Sequence, residues 1–321
     1  MKLGVLTVPL HGMSAEDAFR YLSSLGVQTV EIGTGGYPGS AHFNTAEMLA
    51  DPSKAEAYKE ILANSNLEIS AFSVHSNPVH PNRKIAEKAH KEFIDTCKAA
   101  QMFGVDTVIT FSGCPGDHPG AKNPNWVTCS WPPDYLDTLK YQWDERLIPY
   151  WKKAVQEAGE YGVTKIALEP HPGFCVYNPS SLLRLRSEAG DAIGANLDPS
   201  HLFWQGINPV EAIKELKGAI YHFHAKDTKL DDRNVSVNGV LDTGSYGDTL
   251  GRSWLFRTVG YGHSLGVWKD IISTLRAVGY EGAVSIEHED ALMSVKEGLE
   301  SAIKFLQNVM LYEKPADMWW A

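Results

Sequence analysis

The chain has 321 residues, 43% of them hydrophobic and 21% charged, with a formal net charge of −10. That composition supplies a large core, and no stretch reaches the roughly 18 consecutive apolar residues of a membrane span. An acidic protein without a Lys/Arg cluster repels phosphate backbones, which argues against nucleic acid as a partner.

The first residues, "MKLGVLTVPL", are too short and interrupted for a signal peptide. A cytoplasmic location is therefore expected. Cys97, Cys114, Cys129 and Cys175 show no C-x-x-C spacing and read as reduced thiols without a role.

In chain order, eight short apolar runs rich in β-branched residues read as strands: 2–8, 27–32, 67–75, 105–112, 163–169, 193–198, 219–226 and 283–288. Helical patterns lie between and after them, at 15–25, 45–64, 84–103, 134–161, 179–189, 209–217, 266–279 and 294–311. Ser14 with Asp17 three positions on, and Asn208 before Pro209, are helix-start signals. Gly26, Gly104, Gly162 and Gly279 each precede a strand as helix C-caps would. Eight strand–helix repeats predict α/β architecture: a closed parallel (β/α)8 barrel over 1–312, as one domain, with a tail at 313–321. Two connections, 113–133 and 228–265, are too long for plain loops. Both follow strand C-termini, the end at which such barrels place active sites.

Polar residues collect at those strand ends: Glu31, His75, Glu169, Asp198, His224 with Lys226, and Glu287. Alternation puts His222, His224 and Lys226 on one face of "AIYHFHAK", and pairs Ala167 with Glu169 and Ser285 with Glu287. Small and polar residues then line the barrel while branched ones face the helices. Carboxylates converging on one mouth repel unless a cation compensates them, because burying a bare charge costs several kcal/mol. Glu169, Asp198, His224 and Glu287 offer three carboxylates and one imidazole. That set suits Mn²⁺ best, with Mg²⁺, Co²⁺, Fe²⁺ or Zn²⁺ as alternatives. Each residue alone has a plainer reading, a helix cap or a bonded core histidine; the convergence of four on one face favours the ion. His222 lies a layer deeper and reads as a core partner of a ligand.

The segments "ALEP" (167–170), "NLDPSH" (196–201), "HFHAKD" (222–227) and "SIEHED" (285–290) resemble the metal-binding strand ends of the xylose isomerase-like TIM barrels. These are the sugar phosphate isomerases/epimerases, which include ketose 3-epimerases, inosose dehydratases and hydroxypyruvate isomerases. The resemblance spans nearly the whole chain. It implies metal ligation by Glu169, Asp198, His224 and Glu287, with Glu169 and Glu287 also serving as acid and base. It implies substrate contact by His201 and by Arg257 in the long insertion, where Arg252 competes for the part.

Polarising a carbonyl and its neighbouring hydroxyl acidifies the C–H between them, so proton transfer through an enediolate gives epimerisation or isomerisation. The same site supports elimination. The expected function is a divalent-metal-dependent sugar isomerase or epimerase. The alternative is a lyase acting on a 3-keto sugar or 3-keto-glycoside, as in the C-glycoside-cleaving relatives that work with a small second subunit. His75 and Lys226 at the mouth, and Trp126 in the loop after the fourth strand, complete the expected substrate contacts. Trp131, Trp204 and Trp254 add aromatic surface, and the length of 228–265 suggests a substrate larger than a free hexose or a covering partner. No phosphate-cradling loop is present, so an unphosphorylated carbohydrate is the expected small-molecule partner. A homo-oligomer or a small partner subunit is compatible, and the tail "KPADMWWA", with Trp319 and Trp320, fits either a partner or its own barrel. A repair endonuclease for abasic sites would need an Asp-x-His pair in 228–265, and none is there. A metal-free binding barrel is disfavoured because all four ligand positions are filled.

Overall fold

Eight parallel strands close into a barrel in the computed structural model, which describes every residue except Trp319 and Ala321. The strands are β1 (Lys2–Leu6), β2 (Thr29–Gly33), β3 (Glu68–Ser73), β4 (Thr107–Thr110), β5 (Lys165–Leu168), β6 (Ile193–Leu197), β7 (Ile220–Ala225) and β10 (Ala283–Ile286). Neighbours around the barrel follow chain order, and β10 closes it between β7 and β1. All eight expected strands are present. The remaining two, β8 (Asp227–Leu230) and β9 (Trp254–Arg257), pair antiparallel inside the 228–265 insertion. The sequence had presented that hairpin only as a long loop.

Helices cover the outside. Their branched and aromatic residues, including Phe19, Phe93, Trp151, Ile213, Trp268 and Leu299, pack on the outward faces of the strands and make the main core. Local chemistry starts and stops them as expected. Ser14 caps its helix by accepting from the Asp17 N–H at 3.1 Å. Asn208 does the same for the Val210 N–H at 2.9 Å. Gly26, Gly104, Gly162 and Gly279 all take positive φ, between 68° and 86°, where a side chain would be strained. The pattern at 45–64 divides into Thr45–Ala50 and Pro52–Asn64, because Asp51 caps a new helix that begins with Pro52. The pattern at 134–161 runs through a π-helical stretch, Tyr141–Leu147, just before Pro149. A short helix, Pro199–Phe203, follows β6 and was not anticipated.

The barrel's interior is of a different kind. Ala71, Ile109 and Ala167 form a small apolar layer. Towards the strand C-termini, Glu31, Ser73, Asn196, His222, His224 and Ser285 are all buried. Of the four cysteines only Cys129 is exposed, and none is in a disulfide. No described helix is long and apolar enough to cross a membrane.

The insertion is tied down at its root by Asp227. This fully buried carboxylate accepts from the N–H groups of Thr228, Gly260, Gly262 and His263, and from His263 Nδ1 and Trp268 Nε1, at 2.7–3.1 Å. Gly262 must be a glycine here, since a Cβ would stand 2.3 Å from the Thr228 carbonyl oxygen. Asp227→Ala would strand these buried donors together, and we expect a loss of about 3 kcal/mol or more in chemical denaturation. Proteolytic cleavage near 258–264 should accelerate in the same variant; an unchanged denaturation midpoint and cleavage rate would remove Asp227 from this role.

Candidate metal centre

β5, β6, β7 and β10 end at one level, and their last polar side chains converge. Ligand atoms of Glu169, Asp198, His224 and Glu287 lie within 4.8 Å of one another. Each is set by a local device. Asp198 caps the short Pro199–Phe203 helix: its Oδ1 accepts from the Ser200 N–H at 2.8 Å. Its Oδ2 makes no hydrogen bond and turns to the cluster, 3.1 Å from Lys226 Nζ. The helix cap occupies one oxygen and leaves the other facing the cluster.

His224 is oriented from below. Its Nε2–H donates to Glu31 Oε2 at 2.8 Å, and Glu31 is fixed in turn by Ser285 Oγ at 2.9 Å and by Ser73 Oγ. That leaves Nδ1 without a hydrogen bond, 3.0 Å from Glu287 Oε2 and 3.4 Å from Glu169 Oε2. A lone pair facing two carboxylates is repulsive unless a proton or a metal ion stands between them. A carboxylate behind an imidazole is the usual way to orient a metal-binding histidine. Glu31 is the residue whose part the sequence did not reveal; its place at the end of β2 was the only signal.

Glu169 is the most heavily bonded of the four. It accepts from His201 at Oε1 (3.0 Å), and at Oε2 from His75 (3.0 Å) and Asn196 Nδ2 (3.2 Å). His222 bonds Asn196 at 3.0 Å, so the deeper histidine of β7 braces Glu169 through one intermediary, as its layer implied. Lys226 is 2% exposed, bonds Glu287 at 2.7 Å and Glu289 at 2.9 Å, and lies 4.5 Å from the Phe256 ring centroid.

The charges follow. Burial opposes ionisation of Glu169, yet His201 and His75 hold it well below the usual carboxylate range. Burial likewise opposes Glu287, and Lys226 and His224 outweigh it downward. Burial lowers the affinity of His224 for a proton, but Glu31 and Glu287 raise it well above normal. Asp198 goes the other way: burial first, then Glu169 and Glu287, lift it to about 6 against the pull of Lys226. Burial presses His222 down to about 4.

A cavity of about 170 Å³ opens above this cluster, lined by His75, Glu169, His171, Lys226, Glu287 and Glu289 among others. His171 and Glu289 were not singled out in the sequence. Trp126 lines a neighbouring cavity rather than this one. Arg257 is held by Asp290, with Nε 3.0 Å from Oδ2, and does not line the cavity over the carboxylates. Arg252 is buried within the insertion, with Nε 3.2 Å from the Trp254 carbonyl. Of the two tail tryptophans, Trp319 lies outside the described residues, while Trp320 is largely exposed.

Residues 19–309 match the family described as xylose isomerase-like TIM barrel. The uncharacterized protein YfiH of Bacillus subtilis (strain 168) is 40% identical over 313 residues, covering 97% of this chain and 99% of its own. Among solved structures, a D-tagatose 3-epimerase-like protein shares the fold at 20% identity and a TM-score of 0.63, covering 96% of this chain and 98% of that one. The IolI protein with a bound zinc atom does so at 18% identity and 0.66, covering 96% and 98%.

The raised value of Asp198 fixes a sign. The folded state favours its neutral form, so its contribution to stability is present below its usual 3.8 and lost as pH rises through about 6. A cation needs the ionised form and restores what is lost. The rise in melting temperature on adding Mn²⁺ to chelator-treated protein should be large at about pH 8 and shrink as pH falls through about 6. A shift that is constant across this range would contradict the assignment.

Proposed function

This chain belongs to the xylose isomerase-like TIM barrel family, and from that premise we propose that it is a divalent-metal-dependent sugar isomerase or epimerase with the ion held by Glu169, Asp198, His224 and Glu287. The observation that carries the reading is the convergence of ligand atoms of Glu169, Asp198, His224 and Glu287 within 4.8 Å of one another, with Asp198 Oδ2 and His224 Nδ1 buried and turned into that cluster. The donor set fits a cation that accepts three oxygens and one nitrogen, Mn²⁺ before its competitors. When bound, such an ion supplies Lewis-acid polarisation of a substrate carbonyl and its neighbouring hydroxyl.

The chain's own residues do the rest. Glu287, bonded to Lys226, takes the proton from the carbon between those oxygens. Glu169 stands on β5, separated from β10 by β6 and β7, and so meets the substrate from another side. His75 and His201 keep its carboxylate from swinging. Return of the proton to the opposite face gives the epimer; return to the adjacent carbon gives the isomer. Lys226 offers an ammonium to substrate oxygens, and the hydrophobic walls Leu6, Val8 and Phe111 limit water around them.

Elimination from a 3-keto sugar or 3-keto-glycoside is a second reading. It is favoured by the room beyond the first cavity, since such a reaction needs space for a leaving group.

Purified protein should hold about one divalent ion per chain, and Glu169→Gln or His224→Ala should lower that occupancy at least tenfold by metal analysis. Unchanged occupancy in both variants would remove the site. With Mn²⁺ present, a screen of ketoses should find one whose C–H exchanges with deuterated water. Glu287→Gln should slow that exchange by about a hundredfold or more while the ion stays bound. Exchange at the wild-type rate would take Glu287 out of the proton transfer, and release of a leaving group from a 3-keto-glycoside without ketose exchange would favour elimination.

A further inference from the structure

The Lys226 ammonium has no open side. Its Nζ donates to Glu287 Oε2 at 2.7 Å and to Glu289 Oε2 at 2.9 Å, and it stands 3.1 Å from Asp198 Oδ2. The Phe256 ring covers it, with 4.5 Å from Nζ to the centroid. Lys226 is 2% exposed, so a substrate oxygen reaches its ammonium only where one of these neighbours gives way. Asp198 and Glu287 belong to the metal centre proposed above. Glu289 does not.

Glu289 is the partner that faces the substrate space. Its side chain is 49% exposed, against 15% for Glu287 and 0% for Asp198. It borders both the cavity above the carboxylates and the larger one beside it. The backbone that carries it is pinned by the next residue. Asp290 accepts from the Thr258 N–H at 2.8 Å and from the Leu292 N–H at 2.9 Å, which ties the end of this loop to the insertion. Among the described residues, Lys226 is the one ion-pair partner of Glu289.

The charges around this contact decide what it does. Glu169, Glu287 and Glu289 line the first cavity and Asp198 adjoins it, while Lys226 is the one Lys or Arg among the described residues that line it. With the histidines neutral, a divalent ion and Lys226 bring three positive charges against these four carboxylates. The loaded site keeps an excess of negative charge even before Glu31, beneath His224, is counted. A carboxylate or phosphate on a substrate adds to that excess, and the ammonium it would pair with is already capped. A hydroxyl meets no such conflict, because it accepts from Lys226 and donates to Glu289 at once.

We propose that Glu289 is a specificity-determining residue that restricts the first cavity to uncharged substrates and excludes sugar acids and sugar phosphates. It caps the Lys226 ammonium, fills the position in which a substrate anion would pair with that ammonium, and keeps the charge of the site negative. Removing its carboxylate gives Lys226 an open side and turns the same cavity into an anion site. The inference rests on the sugar-site reading given above for its metal ion. It adds the charge of the substrate and the residue that selects it.

The test is calorimetric titration of Mn²⁺-loaded protein with D-glucuronate and with its uncharged counterpart, D-glucose. The wild type should bind D-glucuronate more weakly than D-glucose. In Glu289→Ala the affinity for D-glucuronate relative to D-glucose should rise about tenfold or more, the scale of one charge-assisted hydrogen bond. The Glu289 side chain is about half exposed, so the fold tolerates the change. Glu289→Gln, which keeps the shape and removes the charge, should give a smaller gain of the same sign. Adding Lys226→Met to Glu289→Ala should abolish the gain. D-glucuronate bound by the wild type as tightly as D-glucose, no gain in Glu289→Ala, or a gain that survives the loss of Lys226 would each overturn the proposal. Where the wild type binds neither sugar measurably, the appearance of D-glucuronate binding in Glu289→Ala supports the proposal and its absence overturns it. The deuterium-exchange screen separates this inference from the reading it rests on. An anion gain in Glu289→Ala without any ketose exchange keeps the charge selection and drops the isomerase. An exchange-active protein without the gain keeps the sugar site and refutes the selection by Glu289.

Discussion

Three carboxylates and an imidazole within 4.8 Å of each other, at the mouth of a barrel, set the terms for everything around them. Such a cluster is unstable without positive charge, and the fold meets this in layers. Lys226 supplies a fixed ammonium on one side, bonded to Glu287 and Glu289 and close to Asp198. His75 and His201 donate to Glu169 from another. Below, Glu31 bonds His224 Nε2 and orients the ring so that Nδ1 faces the carboxylates, 3.0 Å from Glu287 Oε2. These groups reduce the repulsion without closing the centre, which the proposed reading fills with a divalent cation.

The interior of the barrel answers to the same constraint. Where a barrel of purely structural purpose would fill its upper layer with branched side chains, this one buries Ser73, Asn196, His222 and Ser285. Each has a bond that leads to one of the four clustered residues. Ser73 and Ser285 fix Glu31, and His222 reaches Glu169 through Asn196. The apolar core that stabilises the chain has been moved outward, between strands and helices, where Trp151, Trp268 and Phe223 are fully buried. Stability and chemistry thus occupy separate faces of the same strands, as the period of two permits.

That division explains what was legible in the sequence. The strands could be read because their outward residues are β-branched, and the four ligand candidates because each is a polar residue closing such a run. The layer of His222 followed from parity alone. Glu31 was visible as a strand-end residue, but its partnership with His224 depends on β2 lying across the barrel from β7, which no local pattern encodes. The β8–β9 hairpin escaped because 228–265 is rich in glycine and aromatics without clean alternation. Arg257 was drawn from the insertion by analogy; Asp290, far along the chain, holds it instead.

Asp227 and Lys226 show how adjacent residues divide the work. The backbone leaves β7 at Ala225, and the next two side chains point to different tasks. Lys226 turns into the barrel mouth and offsets carboxylate charge. Asp227 turns the other way and gathers four backbone N–H groups, an imidazole and an indole into a knot at the base of the insertion. Since β9 ends at Arg257 and the knot begins at Gly260, the aromatic wall of Trp254 and Phe256 is anchored within a few residues of the ammonium that neighbours the carboxylates. Phe256 of that wall lies under the Lys226 ammonium, 4.5 Å from ring centroid to Nζ, so the insertion contributes a side chain to the packing of the residue that offsets the carboxylate charge.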